Sequence, residues 1–94
     1  MNDSLLMPLY LRLSERKHEI VELACYGLSN DDIAGSLVIA SSTVATHLTE
    51  IYDEMATCEL FAHTKPNRLI LISAFAPFYE RHPLMRSPSL AARR

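Results

Sequence analysis

Residues 41–55, "SSTVATHLTEIYDEM", constrain the fold more than any other stretch of this chain. Val44, Leu48, Ile51 and Met55 recur at steps of four, three and four, so on an α-helix they form one apolar stripe. The opposite face carries Ser42, Ala45, Thr46, Thr49 and Asp53, which are short and mostly polar. Such a helix needs a core beneath it and turns a low, small-residue surface outward. Glu50, Asp53 and Glu54 lie on it too, and it contains no Lys or Arg.

Local signals place further helices around this one. Ser14 is suited to cap a helix whose apolar face is Ile20, Val21, Leu23 and Ala24, and Gly27 fits the left-handed stop after it. Ser29 or Asn30 can cap a second helix, with Asp31 and Asp32 in the first turn, where the helix dipole favours negative charge. Ile33, Ala34 and Leu37 form its inner face. "VIAS" at residues 38–41 is a tight connection, after which Ser41 or Ser42 caps the long amphipathic helix. Two short helices joined in this way, the second amphipathic, make a helix-turn-helix.

Beyond Met55 the pattern lapses through "ATCELFAHTKPN". Pro66 suits the start of a fourth helix, and "NRLILISAFA" at residues 67–76 is apolar almost all round. Such a helix is either enclosed by the core or pressed against a partner. Pro77 is expected to close it, with Phe78 and Tyr79 folding back. The division expected is an N-terminal arm over residues 1–12, a helix-turn-helix domain over 13–80 and a basic flexible tail over 81–94.

Ninety-four residues, 49% hydrophobic and 21% charged, allow one small globular domain. "LLMPLYL" at residues 5–11 is too short for a membrane span, is broken by Pro8 and lacks the marks of a signal peptide. A cytoplasmic protein with no membrane partner is expected. Cys25 and Cys58 stand far apart with no CxxC pair, so both read as small buried hydrophobes. Cys58 with His63 offers at most half of a metal site, so no metal and no cofactor are expected. No catalytic order of Ser, His and Asp is evident, and an enzyme is not expected.

Charge divides along the chain. Between residues 13 and 60, Arg16 and Lys17 stand against nine carboxylates, a net −7. Residues 61–94 carry six cations against Glu80, a net +5. Arg81, Arg86, Arg93 and Arg94 in the tail could solubilise the chain end or follow a phosphate backbone.

The order of residues resembles the LuxR-type helix-turn-helix family of bacterial transcriptional regulators. Its opening "LTxRExEV" is similar to "LSERKHEI" at residues 13–20, and its "GLSNxEIAxxL" to "GLSNDDIAGSL" at 27–37. Its "ISxxTVKxHxxxIYxKL" is similar to "IASSTVATHLTEIYDEM" at 39–55, and the likeness resumes at Asn67 and Arg68. The resemblance implies an all-α, four-helix effector domain, with a longer loop at residues 56–66 than the family's usual one. It implies a transcriptional regulator that binds double-stranded promoter DNA at a pseudo-palindromic site as a homodimer. Base contacts would fall to Ser42, Ala45, Thr46 and Thr49, and phosphate contacts to Thr43, His47, Ser29 and Asn30. His47 could equally be an ordinary flank histidine. The dimer contact would use Arg68, Leu69, Leu71, Ile72 and Phe75. Two family lysines are replaced, by Ala45 and by Glu54, so counterion release is weak. Hydroxyl donors and the Ala45 methyl are expected to stand in for them. The alternative is a protein-interaction module that binds another regulator through its acidic face or its fourth helix.

Overall fold

In the computed structural model, which describes residues 3–91, all regular structure is helical. Helices α1 (Asp3–Arg12), α2 (Glu15–Cys25), α3 (Asn30–Leu37), α4 (Ser41–Ala56), α5 (Arg68–Arg81) and α6 (Pro88–Ala91) follow in order, with 3-10 turns at Glu59–Phe61 and Pro83–Met85. Side-chain caps set most of the boundaries. Ser14 accepts from the amide of Lys17 at 3.3 Å, Ser29 from that of Asp32 at 3.1 Å, and Asn67 from that of Ile70 at 2.9 Å. Gly27, at φ +84°, turns the chain out of α2. The expected serine cap on α4 is absent: Ala40 holds that position with no side-chain bond. Ser41 instead donates to Asp31 at 2.5 Å and pins the start of α4 to α3.

The apolar stripe of α4 does what its spacing demands. Val44, Leu48, Ile51 and Met55 are buried, packed over α2 and α3. Helix α5 lies against α2 and closes the core with Leu71, Ala74, Phe75, Phe78 and Tyr79. The expected stop at Pro77 does not occur, because α5 continues to Arg81. A proline inside a helix costs about 3 kcal/mol. Burying Phe78 and Tyr79 on the next turn returns roughly 1.5–3 kcal/mol for each large side chain, so the helix runs on.

The ends of the chain also differ from expectation. Residues 3–12, read as part of an arm, form α1 despite Pro8, because Leu6, Leu9 and Tyr10 are buried in the same core. Tyr10 stacks on His18 with ring centroids 4.0 Å apart, and its hydroxyl donates to the Met85 carbonyl at 2.5 Å. The stretch read as a flexible tail packs against the body as far as Leu90. Leu90 is buried, and the Ser87 amide donates to the buried Glu22 at 2.7 Å. Of the tail arginines, Arg81 is engaged with Asp3, and Arg93 and Arg94 lie outside the described residues. Both cysteines are free thiols; Cys58 is buried, and burial pushes the half-buried Cys25 up to about 12. No helix among the described residues is long and apolar enough to cross a membrane.

Two features of this framework lend themselves to measurement. Val38 closes α3 in the left-handed region (φ 58°, ψ 49°) while 86% exposed, so it bears backbone strain and buries almost nothing. Val38→Asn should raise stability by about 1 kcal/mol, or about 4–8 °C in Tm for a domain of this size. Thermal melting by circular dichroism checks this; an unchanged or lower Tm means the strain is absent. The second feature is Asp3, whose carboxyl is held well below the usual carboxylate range by hydrogen bonds from Arg81 and then His82. Its contribution is present above the ordinary value of 3.8 and fades as pH falls below it. Asp3→Asn should therefore be less stable than the parent at pH 7, and in urea melts the gap should begin to narrow as pH falls below 3.8 and close only below the depressed folded-state value.

Candidate nucleic-acid interface

Burial of one stripe of α4 decides what the other presents. Ser42, Ala45, Thr46 and Thr49 sit at steps of three, one and three, and all four are exposed on one face. Thr43 is exposed beside them, and His47 is half-buried on the flank. The structure thus gathers on the outside of α4 six of the residues expected at a DNA contact.

Hydrogen bonding narrows what these side chains can offer. The Thr46 hydroxyl donates to the Ser42 carbonyl at 3.0 Å, and that of Thr49 to the Ala45 carbonyl at 3.1 Å. Each alcohol has one proton and spends it on its own helix. Donation to a phosphate would first break a bond worth about 0.5–1.5 kcal/mol net. The expected hydroxyl grip therefore rests on Ser42 and Thr43, whose side-chain hydroxyls have no hydrogen-bond partner among the described residues.

The corner before α3 is built differently from the expectation. Ser29 accepts from the Asp32 amide as a cap, which leaves its own proton free to donate. Asn30 accepts from Arg68 at 2.8 Å, so its amide group keeps its donors. The Arg68 guanidinium also donates to the Leu28 carbonyl. Arg68 was expected in a dimer seam; its head instead brings a cation to the Ser29–Asn30 corner. Leu71 and Phe75 also leave the expected seam, being fully buried in the chain's own core. Of the five seam residues, Leu69, 70% exposed, and Ile72, half-buried, remain on the outer side of α5.

Cations that sequence pattern did not connect to α4 reach it from other helices. Lys17 of α2 lies 3.2 Å from Glu50, and Arg12 at the end of α1 lies 3.3 Å from Glu54. His47 stands 3.3 Å from the same Glu50 oxygen. The Lys17 bond and charge, with a smaller part from His47, hold the Glu50 carboxyl below its ordinary value. Exposed pairs of this kind add only about 0–1 kcal/mol to stability. Their consequence is electrostatic: two of the three carboxylates on α4 are neutralised in place, and Asp53 has no ion pair among the described residues. The surface is a small-residue ridge with paired cations on its flanks. Among the described residues no cluster of three or more His, Cys, Asp or Glu stands where a metal could be held.

Comparison with known proteins agrees with this geometry. Residues 11–61, more than half of the chain, match the profile described as GerE, bacterial regulatory proteins of the luxR family. A segment of 43 residues is 37% identical to the HTH-type transcriptional regulator MalT of Serratia proteamaculans, and equally to those of Yersinia enterocolitica and Cronobacter sakazakii. That segment is 46% of this chain and 5% of each relative, so the chain corresponds to a small fraction of those proteins. No solved structure matches. A helix-turn-helix with an exposed ridge on α4, matched over α2, α3 and α4 by the family profile, places the chain in the luxR family of bacterial regulatory proteins, whose members are DNA-binding transcription regulators.

Proposed function

We propose that this domain regulates bacterial transcription by laying the exposed ridge of α4 in the major groove of promoter DNA. One observation carries the reading. The ridge from Ser42 to Thr49 holds no bulky or charged side chain, and of the three acids beyond it Glu50 and Glu54 are paired with Lys17 and Arg12, which leaves Asp53 as the one unpaired carboxylate on α4 among the described residues. Ser42, Thr43, Ser29 and Asn30 supply donors to phosphates, and Arg68, Lys17 and Arg12 supply cations near the backbone. His47 sits where it can join them.

We further propose that two copies act on a pseudo-palindromic site, with half-sites roughly 10 base pairs apart. The surface for this is the outer stripe of α5, where Leu69, Ile72, Ser73 and Ala76 repeat at helical spacing and reach solvent. It replaces a seam that included Leu71 and Phe75. A role in binding another regulatory protein is the competing reading, and low affinity for every duplex at low salt would favour it.

Two measurements test these readings. Ala45→Lys restores a cation on the ridge and should tighten binding to a selected duplex by roughly tenfold, while Thr46→Asp or Thr49→Asp should weaken it by a similar factor. Fluorescence anisotropy reads both, and no change on Ala45→Lys means that the ridge does not face DNA. For the seam, light scattering at high micromolar concentration should give a dimer that Leu69→Glu or Ile72→Glu converts to a monomer. A monomer already in the parent protein removes the seam.

A further inference from the structure

We infer that the ridge of α4 recognises the 5-methyl group of thymine, so that each half-site is selected for thymine by apolar contact. The inference rests on the DNA-binding reading and deepens it by naming what the ridge reads. In the major groove, guanine is read through its paired acceptors by Arg or Lys, and adenine by the amide of Asn or Gln. No Arg, Lys, Asn or Gln occurs anywhere on α4. Direct readout of either purine by a two-bond contact from this helix is therefore unavailable.

What remains exposed is methyl-rich. Ala45 presents a methyl group and nothing else. Thr46 and Thr49 would be ambiguous residues, but each turns its hydroxyl back onto a carbonyl one turn earlier, at 3.0 and 3.1 Å. With its proton committed to the helix, each hydroxyl can only accept, so the γ-methyl is the group each threonine brings to a base edge that offers no donor. Ala45, Thr46 and Thr49 thus form a compact apolar patch within a ridge that is otherwise hydroxyl. From Ser42 to Thr49 the ridge rises about 10 Å, close to three stacked base pairs at about 3.4 Å each. Thymine is the one natural base that answers such a patch in the major groove, because it alone carries a methyl there. Phosphate contacts from Ser42, Thr43 and the Ser29–Asn30 corner fix the register and carry no base preference.

The test changes the DNA and leaves the protein intact. Duplexes are selected from a random pool at low salt, and the selected sequence is then made again with deoxyuridine in place of thymidine, which removes only the methyl groups. Affinity should fall about fourfold for each contacted thymine, the worth of one buried methyl. Thr46→Val with Thr49→Val keeps the methyl surface and should preserve the thymine-to-uracil ratio. Thr46→Ser with Thr49→Ser keeps the hydroxyls and should bring that ratio towards one. Equal affinity for the two duplexes, or a ratio unmoved by the serine variant, overturns the inference while sequence-selective DNA binding stands. A pool from which no sequence is enriched overturns the inference and the DNA-binding reading together.

Discussion

The orientation of α4 follows from four side chains. Val44, Leu48, Ile51 and Met55 are buried to between 0% and 4% exposure, and together they remove enough apolar surface to outweigh any preference of the helix for another roll angle. At roughly 1.5–3 kcal/mol for each, rotating α4 by a quarter turn would forfeit several kcal/mol, against a domain stability of about 5–15 kcal/mol. Everything about the outer ridge is a consequence. Ser42, Ala45, Thr46 and Thr49 are outside because the other stripe cannot be, and Ser41 bonded to Asp31 stops the helix from sliding along its axis.

Charge is arranged around that fixed helix rather than on it. The body between residues 13 and 60 carries a net −7, and an isolated helix bearing Glu50, Asp53 and Glu54 would be repelled by phosphates. In the fold, Lys17 and Arg12 come from α2 and α1 to meet Glu50 and Glu54. These cations are tethered by long side chains in contacts of little strength, so a phosphate can compete for them with the carboxylates. The net field stays unfavourable and the number of cations small, so counterion release contributes less to binding than in a basic reading head. On the proposed reading, affinity leans on fit between the ridge and the groove. Small residues, which let the backbone of α4 come close, suit that mode.

How much of this was legible in the sequence depends on the range of the signal. The caps at Ser14 and Ser29, the stop at Gly27 and the stripe of α4 are encoded within a few residues, and the helices they define are present. Helix α1 and the last turn of α5 were missed because Pro8 and Pro77 are strong local breakers, while the burial that overrides them comes from residues far away in sequence. The pairing of Lys17 with Glu50 and of Arg12 with Glu54 crosses more than thirty residues, and no periodicity announces it. The inward hydroxyls of Thr46 and Thr49 are a different case. A threonine in mid-helix has the carbonyl four residues earlier within reach, so "SSTVATHLT" already held that information. On α5, an almost uniformly apolar run gave no means of telling the core-facing Leu71 and Phe75 from the outward Leu69.

Helix α5 ties the proposed readings together through its two sides. Its inner side is consumed by the core, and its first residue, Arg68, is committed to Asn30 and Leu28. The outer stripe holds one large exposed hydrophobe, Leu69, beside Ile72, Ser73 and Ala76. Stable protein interfaces bury about 800 Å² on each partner, more than a stripe of this length supplies, so the proposed seam is weak in free solution. Docking two copies on adjacent half-sites alters the balance, because tethering raises their effective concentration to the order of mM. The proposed seam, which holds free copies together only at high micromolar concentration, would then close on DNA at far lower ones, and each head, short of cations, would gain from its neighbour the affinity it lacks alone. In the proposed dimer, weak seam and weak head are complementary, since together they would bind only where two half-sites stand at the spacing the fold can span.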